Sequence, residues 1–297
     1  MNVLITGACG FIGRNLIAEL EGSHNLRLAD AVPPAEATMF GGANGRTDAP
    51  FDTRWPFVQV DITDLPRMRE ACEGMDAVVH LAADPTGHAE KGKEIMQVNV
   101  VGTYVVLDAA RMAGAKRVLC ASSINAFGTF FWRLSGKPSP YDILPLTEDF
   151  DAVPEDPYSL SKRCNEETCA AFHRAYGLTA AAFRFAGVSR AERYEQAKAD
   201  LQPTTAWSDG LYQWVHVGDV VRGLKQALEC PTLPGYGAYT LAAGDTRCPE
   251  PTMELLGRFR PDLAAKVSKP IEGRDPLLSI DRARNTFGYA PRFRMVD

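Results

Sequence analysis

Two hydrophobic periods alternate along the first 190 residues. Val3 to Ile5 is a short apolar run closed by Thr6 and Gly7, and from Phe11 to Leu20 the apolar positions recur at helical spacing. Strand, glycine turn and helix is the predicted order. The same alternation follows in LRLAD (26–30) and FVQVDI (57–62) as strands, PRMREACEG as a helix, and DAVVHLAA (76–83) as a fourth strand. A helix from about Glu94 to Gly114 leads into the strand KRVLCASS (116–123), and a helix from Tyr158 to Tyr176 leads into LTAAAFRF (178–185). Near-continuous apolar strands separated by helices imply a parallel sheet covered on both faces, since each crossover lays a helix against it. No internal repeat is visible.

Two segments interrupt the rhythm. Residues 31–56, rich in Pro, Gly and Ala, read as an extended loop, and residues 129–157 hold five prolines. Loops at the carboxyl ends of strands are where ligands sit in open α/β sheets. From Ser189 the alternation weakens into Pro-rich turns and short helices. The predicted organisation is a nucleotide-binding domain over 1–188, to which about 212–230 returns, and a lobe over 189–297 that binds mainly substrate.

Composition narrows the partners. The 297 residues carry 32 basic and 37 acidic side chains, a net charge of −5, with no dense Lys/Arg run. Nucleic acid is not an expected partner, because phosphate contacts need clustered cations. Seven cysteines without a C-x-x-C pair, of which Cys9, Cys72 and Cys120 fall in stretches of buried character, are read as reduced thiols in a cytoplasm. No apolar run reaches the ~18 residues of a membrane span, and MNVLITGACG has no leader pattern. A soluble, non-secreted protein is expected. Five scattered histidines without ligand spacing give no metal site.

In LITGACGFIGRNL, Gly7, Gly10 and Gly13 follow one predicted strand and open one predicted helix. Glycine permits the tight turn and lets backbone approach a pyrophosphate, while the helix N-terminus at Phe11, Ile12 and Gly13 presents free N–H groups. Asp30 closes the second strand seventeen residues after Gly13, where a carboxylate accepts hydrogen bonds from the adenosine ribose and repels a 2′-phosphate. The nearest cation is Arg27, on the strand itself, so NAD is expected over NADP. The fold class that follows is α/β, a Rossmann-type doubly wound parallel sheet with a small C-terminal substrate lobe.

Tyr158 and Lys162 in DPYSLSK stand at i and i+4, one turn apart on one helical face. Alone, that spacing is equally the surface of an exposed helix. Taken with TGACGFIG (6–13), VDITD (60–64), HLAA (80–83), VNVVGT (98–103), SSINAFG (122–128) and WVHVGDVV (214–221), it resembles the extended short-chain dehydrogenase/reductases, which include sugar-nucleotide epimerases, dehydratases and uronate dehydrogenases. The motifs span about three quarters of the chain. The resemblance implies that Ser123, Tyr158 and Lys162 form the catalytic set and that Asn99 steadies the lysine, partly through its backbone. It further implies that Asp61 and Ile62 lie beside the adenine and that Leu81, Ala82 and Ala83 pass under the cofactor. His80 and His216 are read as packed histidines.

The same catalytic set serves oxidation, 4-epimerisation and 4,6-dehydration, so other positions must choose. Similar dehydratases carry an Asp-Glu pair just after the catalytic serine or threonine; here Ile124 and Asn125 stand there, and neither exchanges a proton at neutral pH. Similar epimerases show Arg-x-x-Asn-x-Tyr-Gly-Pro and then about seventy residues that bind a nucleoside diphosphate. This chain reads RFAGVSR (184–190), with about thirty residues before WVHVGDVV. The short lobe is similar to that of uronate dehydrogenases, as is the pattern Ser122, Ser123, Asn125, although Pro85 stands where those enzymes carry a substrate-binding serine. For an anionic substrate, Arg190 or Arg193 is the candidate carboxylate partner. The expectation is an NAD-dependent oxidoreductase acting on a hydroxyl of a small sugar or sugar acid. The alternatives are an NAD-dependent sugar 4-epimerase and a non-catalytic NAD-sensing regulator. The resemblance also implies a homodimer through the helices near 94–113 and 158–176.

Overall fold

The computed structural model, described for residues 1–40, 46–130 and 133–296, is built on one seven-stranded sheet. Its strands are β1 (Asn2–Thr6), β2 (Asn25–Asp30), β5 (Phe57–Gln59), β6 (Ala77–His80), β7 (Arg117–Ser123), β8 (Thr179–Phe185) and β11 (Tyr236–Leu241), all parallel, in the order β11-β8-β7-β6-β1-β2-β5. Alternate residues of each inner strand face opposite layers. Leu4, Val78, Val118 and Cys120 pack beneath α2 (Leu65–Cys72), α4 (Gly102–Met112) and α5 (Pro157–Tyr176). Val3, Ile5, Val79 and Leu119 pack beneath α1 (Phe11–Leu20) and α7 (Val217–Glu229). Both faces being apolar explains why these strands read as continuous hydrophobic runs.

Local chemistry sets the ends of the long elements. The Asp156 carboxylate accepts from the Ser159 N–H at 2.9 Å, and Pro157 occupies the first turn, where its missing N–H costs nothing. Gly177, in left-handed conformation, stops α5 after twenty residues.

The helix expected from about Glu94 to Gly114 is interrupted. It runs as α3 (Gly92–Met96), a π-helical turn over Gln97–Val101, and α4. The extra residue in that turn lets Asn99 face inward, 1% exposed. The strand expected over 57–62 pairs only to Gln59, and that over 76–83 only to His80, because the chain then leaves the sheet to form the ligand cleft. The loop 31–56 holds a short antiparallel hairpin, β3 (Thr38–Phe40) with β4 (Arg46–Asp48); its residues 41–45 lie outside those described. The seventh strand, β11, comes from the part expected to be substrate lobe, beyond the 212–230 return.

The segment 129–157, apart from 131 and 132, is tied to the C-terminal region rather than looped over the sheet. Leu144 and Leu146 bridge to Val267 and Leu278, and Glu148 accepts from the Thr240 N–H of β11 at 2.7 Å. Smaller elements complete the lobe: β9 (Val188–Ser189) paired with β10 (Val215–His216), α6 (Ala191–Ala199), α8 (Thr252–Phe259), α9 (Pro261–Ala264) and α10 (Asp281–Phe287). The C-terminal tail is held by buried carboxylates. Asp219 accepts from the N–H groups of Arg292 and Phe293, and Asp245 from that of Met295. Among the described residues no helix is long and apolar enough to cross a membrane.

Candidate active site

The glycine turn between β1 and α1 is built for close approach. Gly7 has φ +69°, and a Cβ there would lie 2.6 Å from the Ala82 nitrogen; one at Gly13 would lie 2.3 Å from the Gly7 carbonyl oxygen. Gly10 caps α1 with no side-chain hydrogen bond, so the first-turn N–H groups of Phe11, Ile12 and Gly13 have no side-chain cap to answer them. A cleft of about 240 Å³ opens beside this turn. Gly7, Gly10, Asp30, Asp61, Ile62 and the backbone from Leu81 to Ala83 line it.

The end of the cleft beside β2 is acidic, lined by Asp30 and Asp61. The Asp30 carboxylate accepts from the N–H groups of Cys9 (2.9 Å) and Val32 (3.3 Å), which orients it and leaves further lone pairs for ribose hydroxyls. Arg27 points away, donating to the carbonyls of Ala71 and Glu73 at 2.9 and 2.8 Å. Arg14 is spent on the Cys9 carbonyl at 2.9 Å and the Phe51 ring at 4.3 Å. The cleft therefore fits a pyrophosphate followed by an unphosphorylated ribose. Cys9, which sequence reasoning left out, also lines it; burial and then the nearby Asp30 push its thiol up to about 12, so it is a packed group rather than a nucleophile.

A second recess of about 280 Å³ contains Ser123, Ile124, Asn125 and Tyr158, walled by Phe185, Ala186 and Gly187. Ser123 ends β7, and its Oγ accepts from the Asn125 N–H at 3.1 Å as the chain enters a 3₁₀ turn over Ile124–Phe127. Tyr158 comes from the first turn of α5. Burial pushes its phenol up to about 12, opposed by its hydrogen bond with Ser123 and reinforced by Asp156 and Asp84. Lys162, 3% exposed, donates from Nζ to the Ala121 carbonyl at 3.1 Å and lies 5.5 Å from the Tyr158 ring centre. Burial pushes Lys162 down to about 8, with Cys120 and Glu166 acting the other way.

Among the described residues the Asn99 side chain makes no hydrogen bond to Lys162. Its amide brackets Asp84, accepting from the N–H at 2.7 Å and donating to the carbonyl at 3.0 Å, and donates to Ser161 Oγ at 2.9 Å. It thus ties the strand-end loop to α5 beside the lysine. His80 is 2% exposed with Nδ1 at 2.7 Å from Thr6 Oγ1 and Nε2 at 3.0 Å from Thr103 Oγ1, and burial, with Lys162 adding, pushes it down to about 3. His216 accepts from the Gly218 N–H at 3.0 Å and stacks on Phe293 at 3.6 Å.

The two arginines proposed for an anionic substrate sit elsewhere. Arg190 lies over the Phe11 ring at 4.8 Å, and Arg193 is exposed on α6, whose single buried side chain is Tyr194. Neither is among the residues lining the recess, and the buried side chain of α6, Tyr194, stacks on Trp214 at 5.5 Å. Among the described residues no group of three or more His, Cys, Asp or Glu is placed to hold a metal.

A dinucleotide cleft at the carboxyl edge of a parallel sheet, next to a recess lined by a serine and a tyrosine with a buried lysine one helical turn behind the tyrosine, defines an oxidoreductase-type nucleotide-binding enzyme of short-chain dehydrogenase/reductase architecture. The profile of the NAD dependent epimerase/dehydratase family matches residues 3–242, and the chain belongs to that family. Its cofactor is NAD, and its relatives are sugar-modifying enzymes. Over its full length the chain is 25% identical to a dTDP-glucose 4,6-dehydratase of Actinoplanes sp., covering 95% of that protein. It is 29% identical over 183 residues to a uronate dehydrogenase of Pseudomonas putida, covering 61% of this chain and 59% of that protein. A short-chain dehydrogenase/reductase superfamily protein of Agrobacterium tumefaciens, solved with bound NAD, superposes with a TM-score of 0.69 at 22% identity, covering 99% of this chain and 94% of that one.

Proposed function

We propose that the protein is an NAD-dependent oxidoreductase that oxidises a hydroxyl of a small sugar or sugar acid, with Ser123, Tyr158 and Lys162 as its catalytic residues. The observation that carries this reading is the pair beside Ser123. Ile124 and Asn125, 2% and 5% exposed, occupy the place where elimination of water would need an acid and a base, and neither side chain titrates near neutrality.

Bound NAD supplies the hydride acceptor. The protein's own groups handle the proton and the geometry. Ser123 Oγ holds the substrate oxygen within reach of the Tyr158 oxygen, which as the phenolate takes the hydroxyl proton while hydride leaves the carbon and the carbonyl forms. In the structure that phenol is held protonated by burial, so the base form depends on opposing charge. Lys162, an ammonium at neutral pH with its Nζ fixed on the Ala121 carbonyl, is the cation that favours the phenolate. Asn125, which lines the same recess, offers a second contact if its side chain turns outward: its buried Oδ1 has no hydrogen-bond partner among the described residues. Among the described residues the lining carries no cation, which favours the neutral sugar over the sugar acid.

Absorbance at 340 nm with purified protein, excess NAD and a panel of uronic acids, aldoses, polyols and nucleotide sugars tests the proposal. Sustained growth with one free sugar supports it. No growth, together with chromatographic interconversion of a nucleotide sugar, replaces it with a 4-epimerase that keeps NAD through both half-reactions.

The seven cysteines are unpaired, which supports a reducing compartment. Val101, Tyr104, Met112, Leu160 and Tyr176, between 41% and 55% exposed, lie on or beside α4 and α5 and support a homodimer through those helices. A monomeric mass in sedimentation at micromolar concentration would remove that inference.

A further inference from the structure

Among the described residues, Leu211 and Tyr212 are the non-glycine positions with positive φ, both +53°. Two consecutive L side chains adopt left-handed backbone only when their surroundings over-determine it. Here Leu211 is fully buried, the Tyr212 hydroxyl donates to the Ala206 carbonyl at 2.7 Å, and the Tyr212 carbonyl accepts from the Arg247 N–H at 3.0 Å. The turn places the next residue, Gln213.

Gln213 is 5% exposed, and its Oε1 accepts from the Gly187 N–H at 2.9 Å. That bond settles the orientation of the amide, since an N–H donor requires the oxygen. The two donors on Nε2 face the other way, and among the described residues they meet no acceptor. The residue is mostly enclosed but these donors are not sealed from solvent, so a ligand in the neighbouring recess can take them.

Gly187 lines the recess that holds Ser123, Asn125 and Tyr158. Glycine there is required neither by conformation, since its φ is not positive, nor by packing. A Cβ would meet nothing nearer than Gln213, at 3.9 Å from Nε2 and Oε1. What the missing side chain leaves is room inside the recess, next to an unused donor. We propose that a substrate hydroxyl takes the place of a side chain at position 187 and accepts a hydrogen bond from Gln213 Nε2, so that Gly187 and Gln213 form a sugar-hydroxyl subsite. This rests on the reading of the recess as a sugar site. With no charged side chain in its lining among the described residues, the recess suits a neutral hydroxyl rather than a carboxylate or phosphate.

The test reads binding rather than turnover. Protein saturated with NADH is titrated calorimetrically with the sugar panel, then with mono-deoxy analogues of the tightest binder, in wild type, Gly187→Ala and Gln213→Glu. Gly187→Ala fills the space, and Gln213→Glu keeps the acceptor for the Gly187 N–H while removing the donors. Each is expected to raise the Kd of that sugar at least tenfold, with NADH affinity within twofold and the melting temperature unchanged for Gly187→Ala. One deoxy analogue, weaker on wild type, is expected to be indifferent to both substitutions, which identifies the hydroxyl. Wild-type Kd in Gly187→Ala, or an equal penalty for every analogue, overturns the subsite. Binding of a sugar that is never oxidised would overturn only the oxidoreductase reading, and binding of no panel member overturns both.

Discussion

Removing the Glu166 carboxylate should be among the most damaging single changes outside the hydrophobic core. Glu166, on α5 one turn beyond Lys162, and Arg184, on β8, are 0% and 1% exposed. The guanidinium engages the carboxylate through two bonds, Nε to Oε1 at 2.8 Å and Nη2 to Oε2 at 2.7 Å, and Ser122 Oγ donates to Oε1 at 2.7 Å. Burial acts against the arginine's charge, but the Glu166 carboxylate outweighs it and holds its pKa above the usual value. In Glu166→Ala the buried cation keeps the Glu148 carbonyl at 3.4 Å, the field of the Glu148 carboxylate and the Phe127 ring at 4.2 Å. Breaking one side of such a pair costs about 3–5 kcal/mol, a large share of a total stability of about 5–15 kcal/mol. With a urea m value of about 3 kcal/mol/M, the unfolding midpoint should fall by about 1–1.7 M, read by tryptophan fluorescence. The double variant Glu166→Leu/Arg184→Met removes both charges and should lose less than Glu166→Ala alone. A single-variant cost under about 1 kcal/mol, or a double variant as costly as the two singles together, would falsify the argument that the pair's value lies in mutual charge compensation.

Tyr158→Phe should lower turnover by a factor on the order of 10³ or more, because proton transfer is lost, while NAD affinity stays nearly unchanged; a variant keeping a tenth of the activity removes Tyr158 from the mechanism. Lys162 titrates at about 8 in the folded protein against 10.5 for the ordinary side chain, so between those values the unfolded chain holds the extra proton and stability rises with pH. Below about 8 the folded state carries the whole cost of burying the ammonium, about 3 kcal/mol at about 1.4 kcal/mol per factor of ten. Lys162→Met should therefore raise the melting temperature of the NAD-free protein at pH 7, flatten its pH dependence between 8 and 10, and abolish turnover. A lower melting temperature at pH 7 would mean that Lys162 stabilises the fold.

Much of the architecture was legible because it depends on neighbours in the chain. The glycine turn needs Gly7 and Gly13 within seven residues of each other, and Tyr158 and Lys162 share a face because Asp156 and Pro157 start a helix just ahead of them. The boundaries were less legible: β5 and β6 stop short of their apolar runs because the chain bends away to form the cleft, a decision taken by the cofactor edge and not by propensity. The π-helical turn at Asn99 has no local signature, since its function is to send an amide to Asp84 and Ser161, 15 and 62 residues away.

By itself the sequence determined the strand and helix alternation, the carboxylate at the end of the second strand and the placing of Tyr158 and Lys162 on one face of α5, because period, glycine and carboxylate act over a few residues. Only the tertiary structure decided that β11 closes the sheet, that Arg190 and Arg193 stand outside the recess lining, and that Gln213 stands behind Gly187. Those depend on which distant segments the sheet brings side by side, and no short-range pattern encodes that.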